Sequence, residues 1–175
     1  LRNKHDLVMT TAEGRGGLRE RLFGSTSMHL MRKCPCPVWV LKPMQSERHA
    51  CILAAVDPAP LDEGQQGSNI KIMDLATSLA QRQQCELVVV HTWTFPAEHS
   101  LRSGYLVASD ALDRWVHEAR DLHKRKLAEF LRPYPLDELK AQVYLLKGEP
   151  GRLIPELAAK LGVELIVMGT VSRSG

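Results

Sequence analysis

From Cys51 to Met168 the chain alternates short apolar runs with segments of helical period, and this alternation restricts the fold more than any other feature. A strand that is apolar at every position must be covered on both faces, and the helices of parallel crossovers supply that cover. Cys51-Ile-Leu-Ala-Ala-Val56 is such a run, closing in Asp57-Pro58. Glu86-Leu-Val-Val-Val-His-Thr92, rich in β-branched valine, is the second. Gln142-Val-Tyr-Leu-Leu146 and Val163 to Met168 follow as a third and a fourth. The expected class is α/β: an open parallel sheet with helices on both faces.

The spacing predicts three helices between these strands. One runs from about Asn69 to Gln83, with Ser68 or Asn69 as its cap and Ile72, Leu75, Ala76 and Leu79 on one face. After a loop of about 97 to 107, a long helix reaches about Leu131, with Leu112, Trp115, Ala119 and Leu122 as its inner stripe, and Pro133 and Pro135 stop it. The last carries Leu153, Ile154, Leu157, Ala158 and Leu161. Pro155 is expected in its first turn, where a missing N–H is harmless, and Gly162 should end it in a left-handed conformation.

The two ends of the chain are alike. "HDLVMTTAEG" near the start and "VELIVMGTVSRSG" at the finish share an acid, an apolar run ending in methionine, small residues and a glycine or serine loop. After the first copy come a helix from about Thr26 to Lys33 and a strand, Pro37-Val-Trp-Val-Leu-Lys42. The expected organisation is residues 1–43 as the last part of a first repeat, 44–49 as a linker, and 50–175 as a second repeat that stops after its fourth strand. Residues 1–43 could complete the second repeat as in a circular permutant; pairing with another chain, or with a stretch not present, are the other arrangements.

With 44% hydrophobic and 25% charged residues the chain is not of disordered composition. A net charge of +3, with bases scattered among acids, indicates no nucleic-acid footprint, and Lys124-Arg125-Lys126 reads as solvated helix surface. No apolar stretch approaches the roughly 20 residues of a membrane span, and no signal-peptide layout opens the chain, so a soluble, cytoplasmic protein without membrane contact is expected. Of Cys34, Cys36, Cys51 and Cys85, the pair Cys34-Pro-Cys36 has no second pair at ligand spacing, so neither zinc nor a disulfide scaffold is expected.

Ligands of open parallel sheets bind at the carboxyl ends of strands, where the strand order reverses. Here those ends are Asp57-Pro58, His91-Thr92 and Gly169-Thr-Val-Ser172. Backbone N–H groups after the fourth strand can meet phosphate, and a carboxylate after the first can accept from a ribose hydroxyl or an adenine amine. Near the start, "GRGGLRERLFGSTS" is a further glycine-rich loop opening a helix. Each feature also has a plainer role: glycine after a strand makes turns, and Asp57-Pro58 is a good turn starter. His91 reads as a hydrogen-bonded rim histidine, and Trp39, Trp93 and Trp115 as core or rim residues.

The two endings, "VELIVMGTVSRSG" and "HDLVMTTAEGRGGLRERLFGSTSMHLMRKCPCPVWVLKP", resemble the universal stress protein family, in particular its tandem, two-domain, UspE-like members. The family signature is glycine, two residues, glycine, nine residues, glycine, then serine or threonine. Gly14, nine residues, Gly24 and Ser25 match its latter part, with Thr11 in place of the opening glycine. Gly169 matches the opening glycine of the second copy, where Ser172 stands in place of the next. The resemblance implies a five-stranded parallel sheet of order 3-2-1-4-5, ATP binding with magnesium in some members, and dimerisation or repeat pairing through the fifth strand, here Val38 to Leu41. It also implies nucleotide-site positions at Asp57, Thr92 and Ser172, and phosphate contacts at Gly169 and, if the first segment completes a site, at Gly14, Gly24 and Ser25.

Two functions follow, a nucleotide-binding stress-response module without catalytic machinery and a dimerising scaffold that holds no nucleotide. Thr11 and Ser172 add side chains where backbone must approach phosphate, which is what separates the two. An adenylating enzyme of related fold would need a serine- and glycine-rich loop after the first strand, and "VDPAPLDEG" stands there.

Overall fold

The computed structural model describes residues 5–11, 25–41, 51–58, 63–95, 98, 101 and 109–169. These fall into two compact units, one within Leu1–Glu47 and one within Arg48–Gly169. The expected linker at 44–49 lies outside the described residues.

In the first unit, strand β1 (Val8–Thr11) is followed by helix α1 (Ser25–Lys33) and strand β2 (Val38–Leu41). The strands pair in parallel, Val8 opposite Val38 through Thr11 opposite Leu41. The Val8 N–H donates to the Pro37 carbonyl at 3.0 Å, so the ladder starts one residue ahead of β2, at a proline that has no N–H to lose. Ser27 is buried, and its hydroxyl donates to the Thr11 carbonyl at 3.2 Å, tying the helix to the end of β1.

The second unit runs β3 (Cys51–Ala55), α2 (Glu63–Gln83), β4 (Glu86–Trp93), α3 (Ser109–Leu131), β5 (Gln142–Lys147), α4 (Pro150–Leu161) and β6 (Leu165–Met168). Its four strands are all parallel, in the order β5-β4-β3-β6. Central strands β3 and β4 bury both faces. Ile52, Ala54, Val56, Leu87 and Val89 pack with Met73, Ala76 and Ala80 of α2 and with Leu127 and Leu131 of α3. Cys51, Leu53, Val88 and Val90 pack on the other side with Ile154, Leu157 and Ala158 of α4. Covering both faces is why these strands read as unbroken apolar runs.

The α/β class holds, whereas the sheet differs from the expected five strands in order 3-2-1-4-5. The second unit's strands run in the order β5-β4-β3-β6, and β2 pairs with β1 in a two-stranded sheet. The reason is proximity along the chain: β2 returns beside the strand from which its own crossover left.

Three local expectations also change. Helix α2 starts at Glu63, ahead of Asn69; its first residues, Glu63 to Ser68, are polar or glycine and carry no apolar period, so the pattern marks the start too late. On α3, Leu112 is buried, but Trp115 and Leu122 are 43% and 44% exposed, and the inward stripe runs on through Leu127 and Leu131. Pro155 lies past the first turn of α4, and Pro150 occupies the helix start instead. Burial of Ile154, Leu157 and Ala158 around Pro155 holds that helix against the sheet despite the lost bond. Gly162 takes the left-handed conformation, with φ 64° and ψ 35°, and ends α4.

Candidate functional site

In parallel register Ala55 stands opposite Val90 of β4 and Met168 of β6, so all three strands end on one side of the unit. Asp57, Thr92 and Gly169 are therefore brought to a common edge. Thr92 is half-buried on β4, and Gly169 is exposed immediately after β6. A methyl group on Gly169 would meet Ile72 Cδ1 at 3.6 Å, an ordinary contact, so packing within the unit does not demand glycine there.

Asp57 is fixed through its backbone. Its N–H donates to Asn69 Oδ1 at 2.9 Å, and Asn69 Nδ2 donates back to the Asp57 carbonyl at 2.7 Å. Asn69 is buried inside α2, so it braces the strand end rather than capping the helix. One residue earlier, the Val56 N–H donates to the Val90 carbonyl at 3.0 Å and prolongs the ladder past β3. The Asp57 side chain is 60% exposed, on a braced backbone.

Behind it lies a histidine pair. His91 is 2% exposed, with Nδ1 3.1 Å from the Val56 carbonyl and Nε2 2.8 Å from Nδ1 of His123 on α3. A carbonyl only accepts, so His91 Nδ1–H donates to Val56; in the neutral ring His91 Nε2 then accepts from His123 Nδ1–H. Burial pushes the His91 pKa below the ordinary value; the Val56 bond and the Asp57 carboxylate, 4.0 Å away, oppose this, and His123 adds to it. Burial also lowers His123, with Asp57 opposing and Lys126 assisting. His123 stacks on Trp93, ring centres 5.3 Å apart, and Lys147, paired with Glu98, lies 5.8 Å from the Trp93 ring centre.

His91 is thus a core residue, not a rim residue. Sequence reasoning missed His123 and the bracing role of Asn69. The signal for His123 was its place on α3, four residues before buried Leu127 and eight before buried Leu131, on the inward face. Gly14, Gly24 and Ser172 lie outside the described residues, and Ser25 is the first residue of α1. Among the described residues, no group of three or more histidine, cysteine or acidic side chains could hold a metal ion, and no helix is long and apolar enough to cross a membrane.

The model of the universal stress protein family matches residues 2–42 and 52–175. Universal stress protein E of Salmonella typhi is 29% identical over 181 residues, covering 100% of this chain and 54% of that protein. Its Escherichia coli (strain K12) counterpart is 29% identical over 177 residues, covering 98% and 53%. The chain spans about half the length of these relatives. A Pseudomonas aeruginosa UCBPP-PA14 protein described as a universal stress protein has a crystal structure that matches with TM-score 0.72 at 25% identity, covering 97% of this chain and 54% of that one.

Proposed function

The chain belongs to the universal stress protein family, and on that premise we propose that it is a stress-response module that binds ATP, with magnesium, at the strand-end edge of its second unit. The observation that carries this reading is Asp57: its backbone is braced by Asn69 and by the prolonged ladder, and its carboxylate remains exposed. A residue whose backbone is already held loses less freedom on binding, which favours recognition of a ribose hydroxyl or an adenine amine by its carboxylate. Thr92 and Gly169 stand at the ends of β4 and β6, the two strands that flank β3, the half-buried threonine suited to the base and the glycine to the phosphates. This reading asks these residues to bind nucleotide and assigns them no catalytic step.

Calorimetric titration of ATP with magnesium into the chain, alongside Asp57→Ala, tests it. The backbone brace comes from Asn69, so the substitution should leave the fold intact. Binding in the micromolar range that is lost in Asp57→Ala supports the reading. No heat up to millimolar ATP, with the protein shown to be folded, overturns it.

That second result would favour a pairing scaffold, for which β6 supplies an observation. Its ladder partner among the described residues is β3 alone, and Ile166 and Met168 are 38% and 53% exposed. A homodimer or repeat pairing through such an edge, or through Val38 to Leu41, would cover apolar surface and complete a ladder.

A further inference from the structure

Cys34 and Cys36 flank Pro35 in the turn between α1 and β2, and their Sγ atoms are 3.5 Å apart. Neither metal binding nor nucleotide recognition accounts for this pair. The backbone is held on both sides of it. The Cys34 N–H donates to the Leu30 carbonyl at 2.9 Å, closing the last turn of α1, and the Pro37 carbonyl accepts the first bond of the β1–β2 ladder. Both thiols are free and half-buried, whereas Cys51 is buried within β3. A disulfide bond is about 2.05 Å long, so joining the sulfurs requires an approach of about 1.5 Å.

We propose that Cys34 and Cys36 form a reversible dithiol–disulfide switch, oxidised by a small disulfide such as oxidised glutathione. One cysteine thiolate attacks the acceptor's S–S bond, forming a mixed disulfide and expelling one acceptor thiolate. The second cysteine thiolate then attacks the protein sulfur of that mixed disulfide, forming the Cys34–Cys36 bond and expelling the other. Two protein thiols are oxidised, one disulfide is reduced to two thiols, and the protons lost by the cysteines pass to the leaving groups. The closed ring spans three residues and includes Pro35, so it is strained. Strained or exposed disulfides are the readily reduced ones, which makes this pair a switch rather than a staple. Closing it pulls on Cys34 and Pro37, the residues that end α1 and begin the β1–β2 ladder. The hydrogen bond with Cys34, followed by burial, holds the Cys36 thiol above its ordinary pKa, so exchange should quicken as pH rises.

The test is to equilibrate the chain in mixtures of oxidised and reduced glutathione, quench in acid, alkylate with a maleimide and map the peptides by mass. The expected product is a Cys34–Cys36 peptide lighter by two hydrogen atoms, carrying no label and restored by reduced glutathione. Cys34→Ser and Cys36→Ser should each retain a glutathione adduct on the remaining cysteine. Full labelling of both cysteines in the most oxidising mixture, a persistent glutathione adduct in the unsubstituted chain, or a link between two chains would each overturn the proposal.

Discussion

His91 Nε2 and His123 Nδ1 lie 2.8 Å apart, one ring near the end of buried strand β4 and the other on helix α3. The bond joins α3 to β4 beside Asp57, and burial disfavours the charged form of both rings.

This relationship makes stability depend on pH. Both histidines have folded-state pKa values below the ordinary 6.5, so the folded form binds fewer protons than the unfolded chain. Their contribution is therefore complete above about pH 6.5 and is lost as pH falls through that value towards the lowered folded-state pKa. Urea midpoints between about pH 5 and pH 8 should fall on the acid side, and His123→Leu, which removes one titrating ring, should flatten the profile. An equally steep profile in the variant would show that the pair does not cause the acid loss.

Asn69 makes two hydrogen bonds to the backbone of Asp57. Asn69→Ala removes both and should cost about 1–3 kcal/mol in denaturant unfolding, the usual penalty when buried polar groups lose a partner. Asn69→Asp keeps the acceptor for the Asp57 N–H but turns an oxygen onto the Asp57 carbonyl in a buried site, so it should not recover the loss. An unfolding midpoint unchanged in Asn69→Ala would show that the brace contributes nothing measurable.

On α3, Leu127 is 4% exposed and Leu122 is 44% exposed. Leu127→Ala opens a cavity against the sheet and should cost about 2–5 kcal/mol. Leu122→Ala lies outside the core and should stay within about 0.5 kcal/mol. Similar losses at the two sites would mean that the helix face is assigned wrongly.

The sequence by itself determined the alternation of strands and helices, the parallel class, the faces of the central strands and the left-handed end of α4 at Gly162. Each follows from a local rule: apolar runs buried on two faces, or a backbone conformation that glycine alone adopts without strain. Of the candidate site, the strand-end positions Asp57, Thr92 and Gly169 could be read in the same way, because parallel strands end together. What only the tertiary structure decided is what surrounds them. Asn69 looks like a helix cap until the strand it braces is beside it, and His123 is one polar residue on a long helix until His91 faces it across 32 positions of sequence. The partner of β2 was likewise beyond local reading, since composition describes how a strand is buried but not which neighbour completes its ladder. Contacts between segments distant in sequence depend on how helices cross the sheet, and no period along the chain encodes that crossing.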